Sequence, residues 1–199
     1  MIQSRASDDV RGRRGSTEGE TTMRRSALST LLWLGCLHGA HAQEAPFGLS
    51  WGPVDTVPKP SMVDREANIT ALTYFHDRPL AAGIDTDEVI LEVCRDEGLQ
   101  QVIWLSRPLS EAELPSRYEA IYREGVRRYG QPQTEPGAET VSWPSGRALL
   151  AVRKAVPGER RLTMLARGDH YEACSVAHQA ATGHPASRHA SDLILGQTP

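Results

Sequence analysis

An apolar stretch of eleven residues, Ala27 to Leu37, decides where this chain folds and how much of it folds. Arg24 and Arg25 precede it, and Ala40-His41-Ala42 follows with the small-x-small pattern of a cleavage site. At about 1.5 Å per residue such a helix is roughly 16 Å long, half of the ~30 Å hydrocarbon core, which suits export and cleavage rather than anchorage. The expectation is a signal peptide over 23–42, cut between Ala42 and Gln43, with Met23 as initiator. Residues 1–22 carry eight charges and only Ile2 and Val10 as aliphatics, so they read as disordered or as a start assigned too early. Leu34-Gly35-Cys36 offers a rival lipoprotein signal that would acylate Cys36. Trp33, however, stands where a small or medium aliphatic belongs. The expected location is the periplasm, or outside the cell as a secreted protein.

Cleavage would leave 199 − 42 = 157 residues with 16 Lys+Arg against 21 Asp+Glu, a net charge of 16 − 21 = −5. That size supports one hydrophobic core. The acidic balance argues against nucleic acid as a partner, and no apolar run reaches the roughly 20 residues of an integral membrane span. Two cysteines remain, Cys94 and Cys174. In an oxidising compartment an even count predicts a Cys94–Cys174 disulfide.

Residues 47–52 (Phe-Gly-Leu-Ser-Trp-Gly) read as a short strand, followed by a loop punctuated by Pro53, Pro58 and Pro60. Residues 71–75 are strand-like. Two β-rich runs, 88–95 and 99–107, flank Asp96-Glu97-Gly98 and predict a hairpin. Glu92, Gln100 and Gln101 suggest that one face of it is partly wet. Leu114, Tyr118, Ile121, Tyr122, Gly125 and Tyr129 recur at helical spacing, with Ser110-x-x-Glu113 as a capping box and Gly130 as the C-cap. Tyr118, Ile121 and Tyr122 are expected to pack on Trp104, Ile103 or Trp143. Three further strands, 139–143, 147–154 and 161–167, form a meander. The fold class is therefore α+β: a twisted antiparallel sheet of hairpin plus three-strand meander, packed by one main amphipathic helix. The domain should span 43–177, with 178–199 a flexible polar tail.

Chemistry is sparse. Nucleophile elbows, phosphate loops, zinc-protease helices and dinucleotide fingerprints are absent from the sequence. His170, His178, His184 and His189, with Cys174, could supply a zinc site on paper, but they fall in an Ala/Ser/Gly-rich segment without a visible scaffold. No metal, cofactor or catalytic residue is therefore expected. Asp169-His170 and His76-Asp77 resemble half of a charge relay, yet neighbours on a strand point to opposite faces. Ser106 and Ser142 have nothing to single them out as nucleophiles. Asn68-Ile69-Thr70 matches a glycosylation acceptor, relevant only in a eukaryotic secretory route.

The Gly48-Leu49-x-Trp51-Gly52 opening, the Cys-containing hairpin and the helix ending Tyr129-Gly130-Gln131-Pro132 resemble small bacterial periplasmic proteins. The element order is also similar to that of BamE-type lipoproteins of outer-membrane assembly. The chain departs from that type in its lipobox, in the prolines after Trp51 and in its paired cysteines. The resemblance implies an envelope location and brings no catalytic residues. The expected function is thus a non-enzymatic exported module that binds an envelope or secreted protein, an immunity-type inhibitor being a special case. The alternative is a periplasmic hydrolase or metal-dependent enzyme using the C-terminal histidines.

Overall fold

The computed structural model describes residues 44–77, 80, 85–134 and 139–186. The expected signal peptide, its Ala42/Gln43 cleavage point, Cys36, residues 1–22 and His189 lie outside the described residues. β-rich segments alternate with turns to give strands β1 Met62–Glu66, β2 Ile69–Phe75, β3 Thr86–Cys94, β4 Gly98–Ser106, β5 Leu109–Ser110, β6 Thr140–Ser142, β7 Ala148–Lys154 and β8 Glu159–Arg167. They form one antiparallel sheet in the order β1-β2-β3-β4-β8-β7-β6, with β5 also on β8. Helix α1 spans Leu114–Tyr129 and α2 spans Tyr171–Thr182. The α+β class read from the sequence is the class observed. The expected hairpin is β3–β4, and the expected meander is β6–β7–β8, docked by β8 against β4.

Period-two alternation sends Val89, Leu91, Val102, Trp104, Met164 and Leu162 to one face of the sheet. Two different elements cover that face. Over β2 to β4 lies the segment from Ala45 to Val57, packing Phe47, Leu49, Trp51, Val54 and Val57 on Tyr74, Val89 and Leu91. Over β6 to β8 lies α1, packing Tyr118, Ile121, Tyr122 and Tyr129 against Trp143, Leu150 and Leu162. Ile103 belongs to the opposite face, in a cluster with Ile90, Leu105 and Leu165. It is therefore not among the partners of α1, whereas Trp104 and Trp143 are.

The helix starts as its residues dictate. Glu113 N–H donates to Ser110 Oγ at 3.4 Å, and Ser110 N–H donates to the Glu113 carboxylate at 3.1 Å; this reciprocal pair of capping-box type closes the turn leading into α1, whose N-cap, Glu113, makes no side-chain cap bond within the helix. Arg107 adds a 2.7 Å bond to Glu113, and these partners hold its carboxyl down to a pKa of about 2.

Three expectations are corrected. Residues 47–52 are not a strand, because Phe47 (φ 63°) and Gly48 (φ 71°) are both left-handed. A 3-10 turn, Pro46–Gly48, stands there instead; a single bridge, Glu44 to Ser50, closes the segment on itself, and another, Gly52 to Leu99, joins it to β4. The supposed flexible tail begins inside a helix. Residue 178 is buried within α2, and the described chain remains packed to Ala186. Finally, Glu92, Gln100 and Gln101 are all buried rather than wet. Gln100 receives the His170 N–H at 3.0 Å, tying the start of α2 over β4.

The disulfide joins Cys94, at the end of β3, to Cys174 in α2 with Cα atoms 6.2 Å apart. It sits in an apolar cluster with Ile69 and Ala186. Asn68, in the β1–β2 turn, donates from Nδ2 to the Cys174 carbonyl at 3.1 Å. No helix among the described residues is long and apolar enough to cross a membrane.

Candidate functional site

The seam between the two covers of the first face is not closed. Pro46 and Phe47 come from the N-terminal segment, and Ala120, Ile121, Gly125 and Tyr129 from α1. The floor consists of Val102 and Trp104 of β4 with Met164 and Ala166 of β8. Together they bound a cleft of about 370 Å³, within the roughly 300–1,000 Å³ range of ligand-binding clefts.

Two local features shape it. Gly125 lets α1 approach the sheet: a Cβ there would stand 2.3 Å from Trp143 Cζ2. Phe47 holds a left-handed backbone at the opposite wall, a conformation that costs a residue with a Cβ roughly 1–2 kcal/mol. Strain of this sort concentrates where a side chain must be presented at a set angle.

The rim carries Glu124 and Arg128. Glu124 accepts from Arg127 at 2.7 Å and from Arg128 at 2.5 Å, and these bonds lower its pKa to about 2. The two charges that line the mouth, Glu124 and Arg128, are thus paired with each other. The surface offered to a ligand is apolar and neutral.

A polar ladder crosses the opposite face. Glu92 of β3, Gln101 of β4 and Arg167 of β8 occupy one register row. Gln101 Nε2 donates to Glu92 at 2.9 Å, and Arg167 Nε donates to Gln101 Oε1 at 3.0 Å. The guanidinium also lies 4.2 Å from the centre of the Tyr171 ring. Burial raises the Glu92 pKa to about 7, against the opposing pull of Arg167 and the bond from Gln101.

The sequence-derived catalytic suspects are scattered. His76 faces Asp87 at 3.7 Å on the surface, and Asp169 pairs with Arg147. Ser106 is buried and spent, donating to the Arg107 carbonyl and accepting the Leu162 N–H. Ser142 lies in β6, where its backbone N–H donates to Thr134 Oγ1 at 3.2 Å. Of the four histidines, His178 and His184 come together, with ring centroids 5.5 Å apart, while His170 caps α2 elsewhere. Cys174 is taken by the disulfide. The partner of the two histidines is Glu66, a residue the sequence did nothing to single out.

Comparison with protein-family models, with curated proteins and with solved structures finds no match for this chain.

Proposed function

We propose that this is a non-enzymatic, exported binding module of the cell envelope, which holds an apolar segment of a partner protein in the cleft between Phe47 and α1. The carrying observation is the cleft itself: an open seam floored by Val102, Trp104, Met164 and Ala166 and rimmed by charges already satisfied. A neutral rim favours neutral apolar side chains over an ionic ligand, as in grooves that take one face of a helix or a strand. A signal-type N-terminus and a disulfide that fits an oxidising compartment support an envelope location.

Photo-crosslinking in cells tests it. A crosslinking residue at Glu124, on the rim, is compared with one at Arg123, which points away from the cleft. The expected result is a discrete protein adduct from position 124 that Ala120→Trp abolishes by filling the mouth. Equal adducts from both positions, an adduct indifferent to Ala120→Trp, or none at all would overturn the reading.

A further inference from the structure

The geometry points to a transition-metal site, of the kind that takes Zn²⁺, formed by Glu66, His178 and His184. It lies at the junction of β1 and α2 and does not depend on the cleft.

Local structure explains why residues so far apart in the chain converge. Glu66 is the last residue of β1, immediately before the Ala67-Asn68 turn. Asn68 bonds to the Cys174 carbonyl, and Cys174 is bridged to Cys94, so this turn and α2 are locked together. His178 lies one helical turn beyond Cys174 and so on the same side of α2. Gly183 then ends the helix in a left-handed conformation (φ 82°) and reverses the chain. Thr182 Oγ1 donates to the His178 carbonyl at 2.9 Å and accepts the His184 N–H at 3.3 Å, which fixes the reversal. His184 is thereby folded back beside His178.

The distances suit a metal. Ligand atoms around a tetrahedral ion with bonds of about 2.0–2.1 Å stand roughly 3.3 Å from one another. Here His178 Nε2 is 3.6 Å from one Glu66 oxygen, and His184 Nε2 is 3.1 Å from the other. One donor atom from each residue falls within 4.8 Å of both others. Two imidazole nitrogens and one carboxylate make a donor set for Zn²⁺ and its neighbours, unlike the all-oxygen sets of Mg²⁺ or Ca²⁺.

The burial is graded as such a site requires. His178 is 2% exposed with its Nε2 turned towards Glu66, and its Nδ1 has no hydrogen-bond partner among the described residues. Glu66 is 55% and His184 26% exposed, which leaves the fourth position facing solvent. Three protein donors with an open position is the arrangement that admits water or an outside ligand.

Zn²⁺ titration of the full chain, purified without a histidine tag and with its disulfide intact, tests this by calorimetry and by the Co²⁺ absorption spectrum. The expected result is one Zn²⁺ per chain, with visible bands of a four-coordinate Co²⁺ and no thiolate charge transfer. Glu66→Gln and His184→Asn alter partly exposed positions and keep the fold measurable in the metal-free state. Each should weaken binding by at least roughly 10–100-fold, the effect of losing even an outer-shell partner. His170→Ala should bind as the parent does. No saturable binding by the parent, equal losses in all three variants, or a thiolate band would overturn the site.

Discussion

Gly125 of α1 and Trp143 of the β6–β7 turn are in such close contact that a single methyl group at position 125 would overlap the indole ring, 2.3 Å from Cζ2. Trp143 is fully buried and donates its Nε1–H to the Gly130 carbonyl at 3.0 Å, so the ring cannot yield easily. Alanine in place of glycine gains about 1 kcal/mol of helix propensity. Overpacking costs about 1–3 kcal/mol. Gly125→Ala should therefore be neutral to destabilising where helix propensity alone predicts a gain. Urea unfolding of the pair decides it, and a variant more stable by the full propensity gain would contradict the contact.

Glu92 makes stability depend on pH in an unusual direction. Its folded pKa, about 7, lies above the unfolded value near 4.5, so between these limits the folded state binds more protons. Stability then falls as pH rises through this window and grows as pH drops towards 4.5. The full effect is on the order of 3 kcal/mol. Glu92→Gln should flatten the dependence between pH 4.5 and 7, as followed by urea midpoints across that range. An unchanged slope would mean that the carboxyl titrates normally.

Glu113 and Glu124 act below that window. Both have folded pKa values lowered to about 2, so their stabilising contributions are present above about 4.5 and are lost as pH falls towards 2. With Glu92 they predict a stability maximum near pH 4 to 5. Thermal melts over pH 2 to 8 would show it, and a monotonic profile would rule it out.

Reducing the Cys94–Cys174 bridge should cost roughly 4–5 kcal/mol if loop entropy dominates, since the cysteines are 80 positions apart. Loss of order should be concentrated in α2, which the bridge and Asn68 clamp to the sheet. Hydrogen exchange with and without reductant would show protection falling first over 171–182. Uniform loss across β3, β4 and β8 would contradict that order.

Much of the architecture could be read from residue patterns. Tyr118, Ile121, Tyr122, Gly125 and Tyr129 follow the helical period, and Gly98, at positive φ, marks the tight turn of the expected hairpin. The failures have physical causes. β1 is exposed along its whole length and carries Asp64-Arg65-Glu66, so no alternation betrays it. α2 is built on Ala173, Ala177, Ala180 and Ala181 rather than on large aliphatics, and its low amphipathicity concealed it. Glu172 in the first turn and Gly183 after the last were the available signs. Missing α2 also made Glu92 and Gln101 look solvated. The Glu66 cluster could not be seen at all, because Glu66 and His184 stand 118 residues apart.

The position of β8 governs how this molecule must assemble. It is the last strand made, yet it is the one that joins β4 to β7, pairing Gln101 with Arg167 across 66 positions. A chain emerging from its amino end can form the β3–β4 hairpin early. Its two half-sheets nevertheless remain separate, each with an open edge, until residue 167 is available. Non-local closure of this kind slows acquisition of the native state and lengthens the interval in which those edges can pair wrongly.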